Sequence, residues 1–268
     1  MKHAVSKQTN SLKQAFYMSH SSKTPEFLVV IPARLGSTRL PRKPLADIHG
    51  KPMVVRVAER AMQSAAHSVI VATDAPEIQA VCDEHRIECL LTRDDHPTGT
   101  DRIAEIAQQL KLPDNAIVVN VQGDEPLIPA ALINQVAQAL ADHPACAIAT
   151  VAVVIADPAE VANPNVVKVV LNRAGEAMYF SRSGIPVTRD AAATTEHLRH
   201  LGIYAYRADF LQAYARLEPA PPEQAESLEQ LRALWNGYRI QVHVASEAPP
   251  AGVDSQDDLE RIRSSWKP

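Results

Sequence analysis

Several features that would point to common functional classes are absent from this sequence. No apolar run approaches the roughly 20 residues that a membrane-spanning helix needs, so no membrane partner is expected. The net charge is −4 and no basic tail is present, which gives no indication of a nucleic-acid partner. Cysteine is scarce and odd in number (Cys82, Cys89 and Cys146) in a chain without a secretory signal, so we expect reduced thiols and a cytoplasmic location.

The nine glycines form neither of the common phosphate-binding motifs, the P-loop and the dinucleotide fingerprint. The sequence offers instead the stretch FLVVIPARLGSTRLPRKPLADIHGK at 27–51. Its apolar start predicts a buried parallel strand, and its cations follow on the loop where open α/β sheets bind ligands. These cations are Arg34, Arg39, Arg42 and Lys43. A solvated basic turn would carry the same charges, but the preceding strand and three stiffening prolines favour a site for a triphosphate.

The order of apolar segments predicts the fold class. Strands predicted at Ser68–Thr73 and Ile87–Thr92 alternate with helices that begin near Pro52 and Pro76. This β-α-β-α-β order is typical of an α/β protein with a doubly wound, mostly parallel sheet. We expect 1–26 to be a disordered extension and 27–268 to be one domain. A hairpin pattern and broken loops predict a smaller α+β lobe inserted over 155–215.

Two further segments carry functional residues at predicted element ends. Asp124 and Glu125 follow the apolar strand that begins at Ile117, and a carboxylate opposite a cationic loop suits Mg²⁺, although an acidic turn would look similar. The segment 96–102, HPTGTDR, precedes a helical stripe that Thr100 or Asp101 could cap. A third group, Cys82, His85 and Cys89, lacks a second metal-binding pair, so no zinc is expected there.

The motifs IPARLGSTRLPRKPL and GKPM (50–53) resemble the N-terminal signature of bacterial cytidylyltransferases that activate acidic sugars. The similarity is strongest to the 3-deoxy-D-manno-octulosonate (Kdo) cytidylyltransferases, and HPTGTDR and VNVQGDEP match that family as well. The resemblance extends from Phe27 to about Arg263. Arg42 departs from it, because the family usually has a small residue at this position. The resemblance implies a nucleotidyltransferase fold, Rossmann-like and GT-A-like.

The resemblance also implies an activity and its participants. CMP would pass from CTP to Kdo, giving CMP-Kdo and pyrophosphate for lipopolysaccharide synthesis. The enzyme would use Mg²⁺ and form a homodimer through the inserted lobe. A sibling enzyme acting on an 8-amino Kdo analogue or on sialic acid is the alternative. A glycosyltransferase is disfavoured because GDEP is not a D-x-D motif, and a non-catalytic nucleotide-binding module because both metal carboxylates are present.

The family's functional positions carry over to specific residues here. The catalytic set is Arg34, Lys43 and Asp124, and the implied nucleotide-binding set is Arg34, Arg39, Lys43, Thr98, Gly99, Thr100, Arg102 and Gln122. The sugar would contact Arg182, His200, Tyr204, Glu229 and Gln230, and Mg²⁺ would contact Asp124 and Asp254. Without the resemblance, the periodicity of a helix predicted over 223–235 turns Glu229 and Gln230 to solvent, and Asp254 is an acid beside a helix cap.

Overall fold

The computed structural model describes residues 25–37, 39–190 and 195–266. Almost all of the predicted N-terminal extension lies outside this range. The strands, in chain order, are β1 (Phe27–Ala33), β2 (Asp47–Ile48), β3 (Lys51–Pro52), β4 (Ser68–Thr73), β5 (Glu88–Leu91), β6 (Ile117–Asn120), β7 (Ile148–Val154), β8 (Lys168–Leu171), β9 (Ala177–Ser181), β10 (Leu198–Arg207) and β11 (Ile240–Ala245). The helices are α1 (Met53–Ala61), α2 (Pro76–Glu84), α3 (Gly99–Leu110), α4 (Ala130–Ala141), α5 (Ala159–Ala162), α6 (Ala208–Tyr214), α7 (Pro221–Glu226), α8 (Gln230–Trp235) and α9 (Gln256–Ser265), with a 3-10 turn at Lys43–Leu45.

One sheet organises the described residues, with its main strands in the order β11-β7-β10-β6-β1-β4-β5. Neighbours pair in parallel except at β10, which runs antiparallel to both β6 and β7. The two faces of β1 enter different cores, since Val29 and Ile31 pack on one side and Leu28 and Val30 on the other. Burial on both faces explains the unbroken apolar run. The predicted doubly wound, mostly parallel α/β fold is confirmed.

The predicted cap of α3 was wrong by two to three residues. Thr98 is the N-cap, and its hydroxyl oxygen accepts a hydrogen bond from the backbone N–H of Asp101 at 3.2 Å. Thr100 and Asp101, the residues that we expected at the cap, lie inside the first turn. Both Thr98 and Thr100 are good cap residues by type, so the pattern did not distinguish between them.

The predicted helix over 223–235 is two helices in the structure. Ser227 adopts a left-handed backbone conformation with φ 51°, which ends α7 before α8 begins. The break turns the chain, so Gln230 is buried instead of facing solvent as the periodicity suggested. Glu229 becomes the N-cap of α8. This correction matters for the site, because both residues reach it.

The region 155–215 divides between two environments. The hairpin β8–β9 lies off the main strand order, although β8 pairs with β10 and so joins the same nine-stranded sheet. Strand β10, however, completes the middle of the main sheet, and α6 contacts α3 of the main body. The role of this region in dimerisation stays a prediction. Within the described part of the chain, no helix is both long and apolar enough to cross a membrane.

Candidate active site

A cleft of about 430 Å³ opens at the carboxyl ends of β1 and β6. The loop after β1, the start of α3, the turn after β6 and the segment before α9 form its walls. Nine of the predicted nucleotide and metal residues line it: Arg34, Arg39, Lys43, Thr98, Gly99, Arg102, Gln122, Asp124 and Asp254. Strand ends that are remote in sequence therefore converge, as the parallel sheet predicts.

Close backbone approaches hold the two acidic segments in place. The backbone N–H of Val253 donates to the carbonyl oxygen of Asp124 at 2.9 Å. A Cβ atom on Gly123 would lie 2.8 Å from the carbonyl oxygen of Pro32, and one on Gly252 would lie 3.0 Å from that of Asp124. Glycine is therefore required where the turn after β6 passes the end of β1.

The ammonium group of Lys43 lies between the two carboxylates that were predicted to bind metal. Its Nζ atom is 2.7 Å from Oδ2 of Asp124 and 3.2 Å from Oδ1 of Asp254, and it also donates to the carbonyl oxygen of Val253 at 3.0 Å. Arg39 reaches Oδ1 of Asp254 at 3.2 Å. The two carboxylates thus already share one cation at the mouth of the cleft.

This pair of carboxylates fits a magnesium ion that arrives with its phosphate ligands. Mg²⁺ takes oxygen ligands and is commonly held by one or two carboxylates, with waters and substrate phosphates completing the shell. Among the described residues, no group of three or more His, Cys, Asp or Glu side chains could hold a metal. The donor set is therefore suited to a metal–nucleotide complex and poorly suited to a free metal ion.

The side chains of the other two cations of the loop after β1, Arg34 and Arg42, lie in different places. Arg34 is exposed and lines the cleft. The guanidinium of Arg42 instead pairs with Glu77 on α2 at 3.0 Å, with both side chains more than half exposed. Arg42, the departure from the family pattern, therefore places a cation at the protein surface, while Arg34, Arg39 and Lys43 line the cleft.

The N-terminus of α3 forms the opposite wall. Thr98, Gly99 and Thr100 present small side chains there, and the first N–H groups of a helix favour negatively charged or acceptor groups. Arg102 lines the cleft but is buried, with Nη2 at 3.3 Å from Oδ1 of Asp74 and Nη1 bonded to the hydroxyl of Thr92. This places Arg102 in a fixed network at the floor of the cleft.

A second cavity, of about 240 Å³, adjoins the cleft, because Gly99 and Gln122 line both. The predicted residues Tyr204, Glu229, Gln230 and Thr100 line it. Oε2 of Glu229 accepts a hydrogen bond from the hydroxyl of Thr100 at 3.0 Å. Glu229 retains solvent exposure, yet the partial burial of its carboxyl group raises its pKa. The amide of Gln122 donates to the carbonyl oxygen of Gly202 at 3.1 Å on the boundary between the two spaces.

His200 does not line this cavity; it lines a neighbouring one of about 400 Å³ that also contains Asp124 and Asp254. Its Nε2 lies 2.9 Å from the hydroxyl of Thr150, which also lies within hydrogen-bonding distance of two backbone carbonyl oxygens. The threonine hydrogen is needed for a carbonyl, so Nε2 of His200 is the donor to that hydroxyl. Burial lowers the pKa of His200 to about 3, which keeps the ring neutral.

Arg182 lies beside the second cavity and does not line it. Its guanidinium donates to the backbone carbonyl oxygens of Glu226 at 2.6 Å, Pro164 at 3.0 Å and Ser227 at 3.3 Å. Ser227 itself lines the cavity. In this structure Arg182 therefore braces the cavity wall, while its predicted contact with a sugar carboxylate stays a prediction.

Four polar residues of the second cavity were missed at the sequence level: Asn120, Tyr206, Tyr214 and Ser227. Asn120 is a polar residue at the end of an otherwise apolar strand, and Tyr206 shares a strand face with Tyr204 by its two-residue spacing. These signals were present in the sequence. Tyr214 had no such signal, because it reaches the cavity only through the packing of α6.

Comparisons with known proteins agree with this geometry. The family model described as cytidylyltransferase matches residues 28–240. The 3-deoxy-manno-octulosonate cytidylyltransferase of Polynucleobacter asymbioticus is 80% identical, over 92% of this chain and 98% of its own length. The enzyme of the same name from Polynucleobacter necessarius subsp. necessarius is 77% identical over the same shares.

Solved structures with a similar fold agree with these sequence comparisons. The structure of a CMP:2-keto-3-deoxy-manno-octonic acid synthetase complexed with CTP superposes with a TM-score of 0.84 at 45% identity, covering 90% of this chain and 98% of that chain. A cytidylyltransferase from Leptospira borgpetersenii serovar Hardjo-bovis has a TM-score of 0.58 at 15% identity, covering 90% and 86%. The second likeness supports the fold alone.

Proposed function

The chain belongs to the cytidylyltransferase family, within its 3-deoxy-manno-octulosonate (Kdo) cytidylyltransferases, and we propose that it transfers CMP from CTP to Kdo. The anomeric hydroxyl oxygen of Kdo bonds to the α-phosphorus, the bond from that phosphorus to the departing pyrophosphate breaks, and the hydroxyl proton passes to solvent. The observation that carries the proposal is the sharing of one cation by Asp124 and Asp254 beside a cationic loop. Phosphoryl transfer depends mainly on such positioning and charge neutralisation.

The triphosphate is assigned to the loop after β1. Arg34, Arg39 and Lys43 line the cleft and supply the positive charge that the β- and γ-phosphates need. The nucleoside is assigned to the opposite wall, at Thr98, Gly99 and Thr100, with Arg102 and Gln122 at the floor. Small side chains and backbone groups there leave room for a pyrimidine.

Asp124 and Asp254 are the residues that would hold Mg²⁺. When bound, the ion would neutralise charge on the α-phosphate and make the attacking hydroxyl more acidic. Lys43 lies between these carboxylates. Its side chain is flexible and lines the cleft, so its ammonium would also reach a phosphate oxygen of the triphosphate.

The sugar is assigned to the second cavity, at Tyr204, Glu229 and Gln230, with Arg182 and His200 at its border. The neutral ring of His200 offers hydrogen bonds without charge. Arg182 is the cation available for the sugar carboxylate, once it exchanges backbone carbonyls for that group. A site built from hydroxyl partners in this way should reject sugars that lack the matching hydroxyls.

The proposal is tested by Asp124→Asn and Asp254→Asn. Each change removes a carboxylate charge at nearly constant volume, so we expect turnover to fall at least 100-fold with the fold intact. Asp257→Asn, an exposed acid in the first turn of α9, is the matched control. Near-normal turnover by either site variant, at saturating Mg²⁺, would contradict the two-carboxylate site.

Nucleotide choice is a separate test of the nucleoside wall. CTP should be the preferred substrate, UTP should be poorer, and ATP and GTP should be excluded by the size of the site. Initial rates of pyrophosphate release with each triphosphate measure this. Equal use of a purine nucleotide would contradict the placement of the base at α3.

A cytoplasmic homodimer completes the proposal. The three cysteines are free, as expected in a reducing compartment. Met178 on β9 and Val187 on the following loop are 62% and 82% exposed in the region predicted to form the dimer contact. Light scattering with size-exclusion chromatography would test this, and a monomer at micromolar concentration would contradict it.

A further inference from the structure

The second cavity contains two buried polar atoms that no described residue satisfies. These are Oδ1 of Asn120 and the hydroxyl of Tyr214, on residues that are 3% and 2% exposed. Buried polar atoms in folded proteins almost always have a hydrogen-bond partner. Two such atoms without a partner in one cavity therefore indicate a position where a ligand binds. Neither residue was among those implied by the family resemblance.

The hydrogen bonds around Asn120 fix what its free atom can do. The hydroxyl of Thr100, which lines the same cavity, donates its single hydrogen to Glu229 and so is not available to Asn120. Among the described residues, none donates a hydrogen bond to Oδ1 of Asn120. An amide oxygen can only accept, so the free Oδ1 of Asn120 is an acceptor that needs a donor.

Tyr214 is held so that its hydroxyl remains available. The guanidinium of Arg232 lies over its ring, 4.5 Å from the centroid, and the ring of Phe210 lies 5.7 Å away. Arg232 is itself fixed by Glu223, whose Oε2 lies 2.8 Å from its Nε. The ring is therefore clamped between neighbours, and its hydroxyl cannot easily find another partner.

We propose that Asn120 and Tyr214 together bind one hydroxyl of the sugar and select for it. This inference rests on the proposed function. An alcohol donates its hydrogen to Oδ1 of Asn120 and accepts one from Tyr214, whereas a carboxylate or phosphate has no hydrogen for Asn120. The hydroxylated end of Kdo therefore enters this cavity. Its anomeric end points to the cleft, across the shared residues Gly99 and Gln122.

Tyr214→Phe and Asn120→Leu, assayed with Kdo and with a series of mono-deoxy Kdo analogues, test the assignment. Each variant should lower kcat/KM for Kdo about tenfold, the usual effect of losing one neutral hydrogen bond, and leave the KM for CTP unchanged. With one analogue, the one that lacks the selected hydroxyl, the penalty should disappear. Tyr238→Phe is the matched control, because Tyr238 packs edge-on against Phe210 and does not line the cavity.

The possible failures are distinguishable. An unchanged kcat/KM, or an equal loss with every analogue, would overturn the inference and leave the proposed function standing. A wild-type enzyme that releases no pyrophosphate with Kdo would overturn both. Tyr214→Phe keeps the ring and its packing, so it carries the test alone if Asn120→Leu proves unfolded by circular dichroism.

Discussion

Replacement of Lys43 by Met should make the free protein bind a divalent metal more tightly. Met keeps most of the side-chain length but removes the ammonium that lies between Asp124 and Asp254. In the wild type, a metal ion that enters without nucleotide must first displace this cation from both carboxylates. In the variant Asp124 loses the ammonium while Asp254 keeps its contact with Arg39, so the repulsion between the two carboxylates is less well neutralised and favours an incoming cation.

The exposure of the three side chains sets the size of the effect. Lys43 is 17% exposed, Asp124 is 32% exposed and Asp254 is 53% exposed, so the contacts are intermediate between a surface ion pair and a buried one. A surface pair contributes up to about 1 kcal/mol, and breaking a buried pair costs about 3–5 kcal/mol. We therefore expect about 1–2 kcal/mol, which corresponds to roughly tenfold tighter metal binding.

Titration with Mn²⁺, followed by electron paramagnetic resonance without nucleotide, measures this directly. Mn²⁺ prefers the same oxygen ligands as Mg²⁺. Arg42→Met is the matched control, since Arg42 pairs with Glu77 outside the cleft and its loss should leave metal affinity unchanged. Turnover by Lys43→Met should fall sharply even as its metal affinity rises. An unchanged or weaker Mn²⁺ affinity in a folded Lys43→Met protein would refute the reasoning.

Burial lowers the pKa of His200 to about 3, so between pH 6.5 and 3 acid favours the unfolded chain, which takes up the proton. At pH 5, denaturant titration should show His200→Asn removing about 1–2 kcal/mol of the acid-induced loss of stability. Gly123→Ala should cost about 1–3 kcal/mol because its Cβ meets a backbone oxygen at 2.8 Å, whereas Gly36→Ala, with open space around it, should be near neutral in the same titration. Arg182→Ala should raise the KM for Kdo at least tenfold and barely change that for CTP, and equal losses would place Arg182 in the triphosphate site or the fold.

The cleft at the ends of β1 and β6 was predictable because its residues follow local signals in the sequence. Strand ends marked by Pro32 and Gly123 carry Lys43 and Asp124 into one cleft, and parallel sheets bring such ends together. Their chemistry is also evident from residue type, since cations for phosphate and carboxylates for a hard metal ion follow directly.

The second cavity depends on long-range packing that no local sequence pattern predicts. Strand β10 inserts antiparallel between β6 and β7, and this pairing brings Tyr204 beside Asn120. The left-handed turn at Ser227 contains no glycine or proline that would have predicted it. Because of this turn, Gln230 lies in the cavity and not at the solvent-exposed surface that periodicity predicted. Periodicity predicted that Glu229 and Gln230 face solvent, whereas both line the second cavity; their contact with the sugar, which the family resemblance implies, stays a prediction.

Pyrophosphate release across a panel of sugar acids tests the central claim most directly. The purified protein, with CTP and Mg²⁺, should release pyrophosphate rapidly with Kdo, and CMP-Kdo should accumulate in equal amount. The 8-amino Kdo analogue and N-acetylneuraminate should be much poorer substrates. No release with Kdo, or turnover of N-acetylneuraminate as efficient as that of Kdo, would contradict the account.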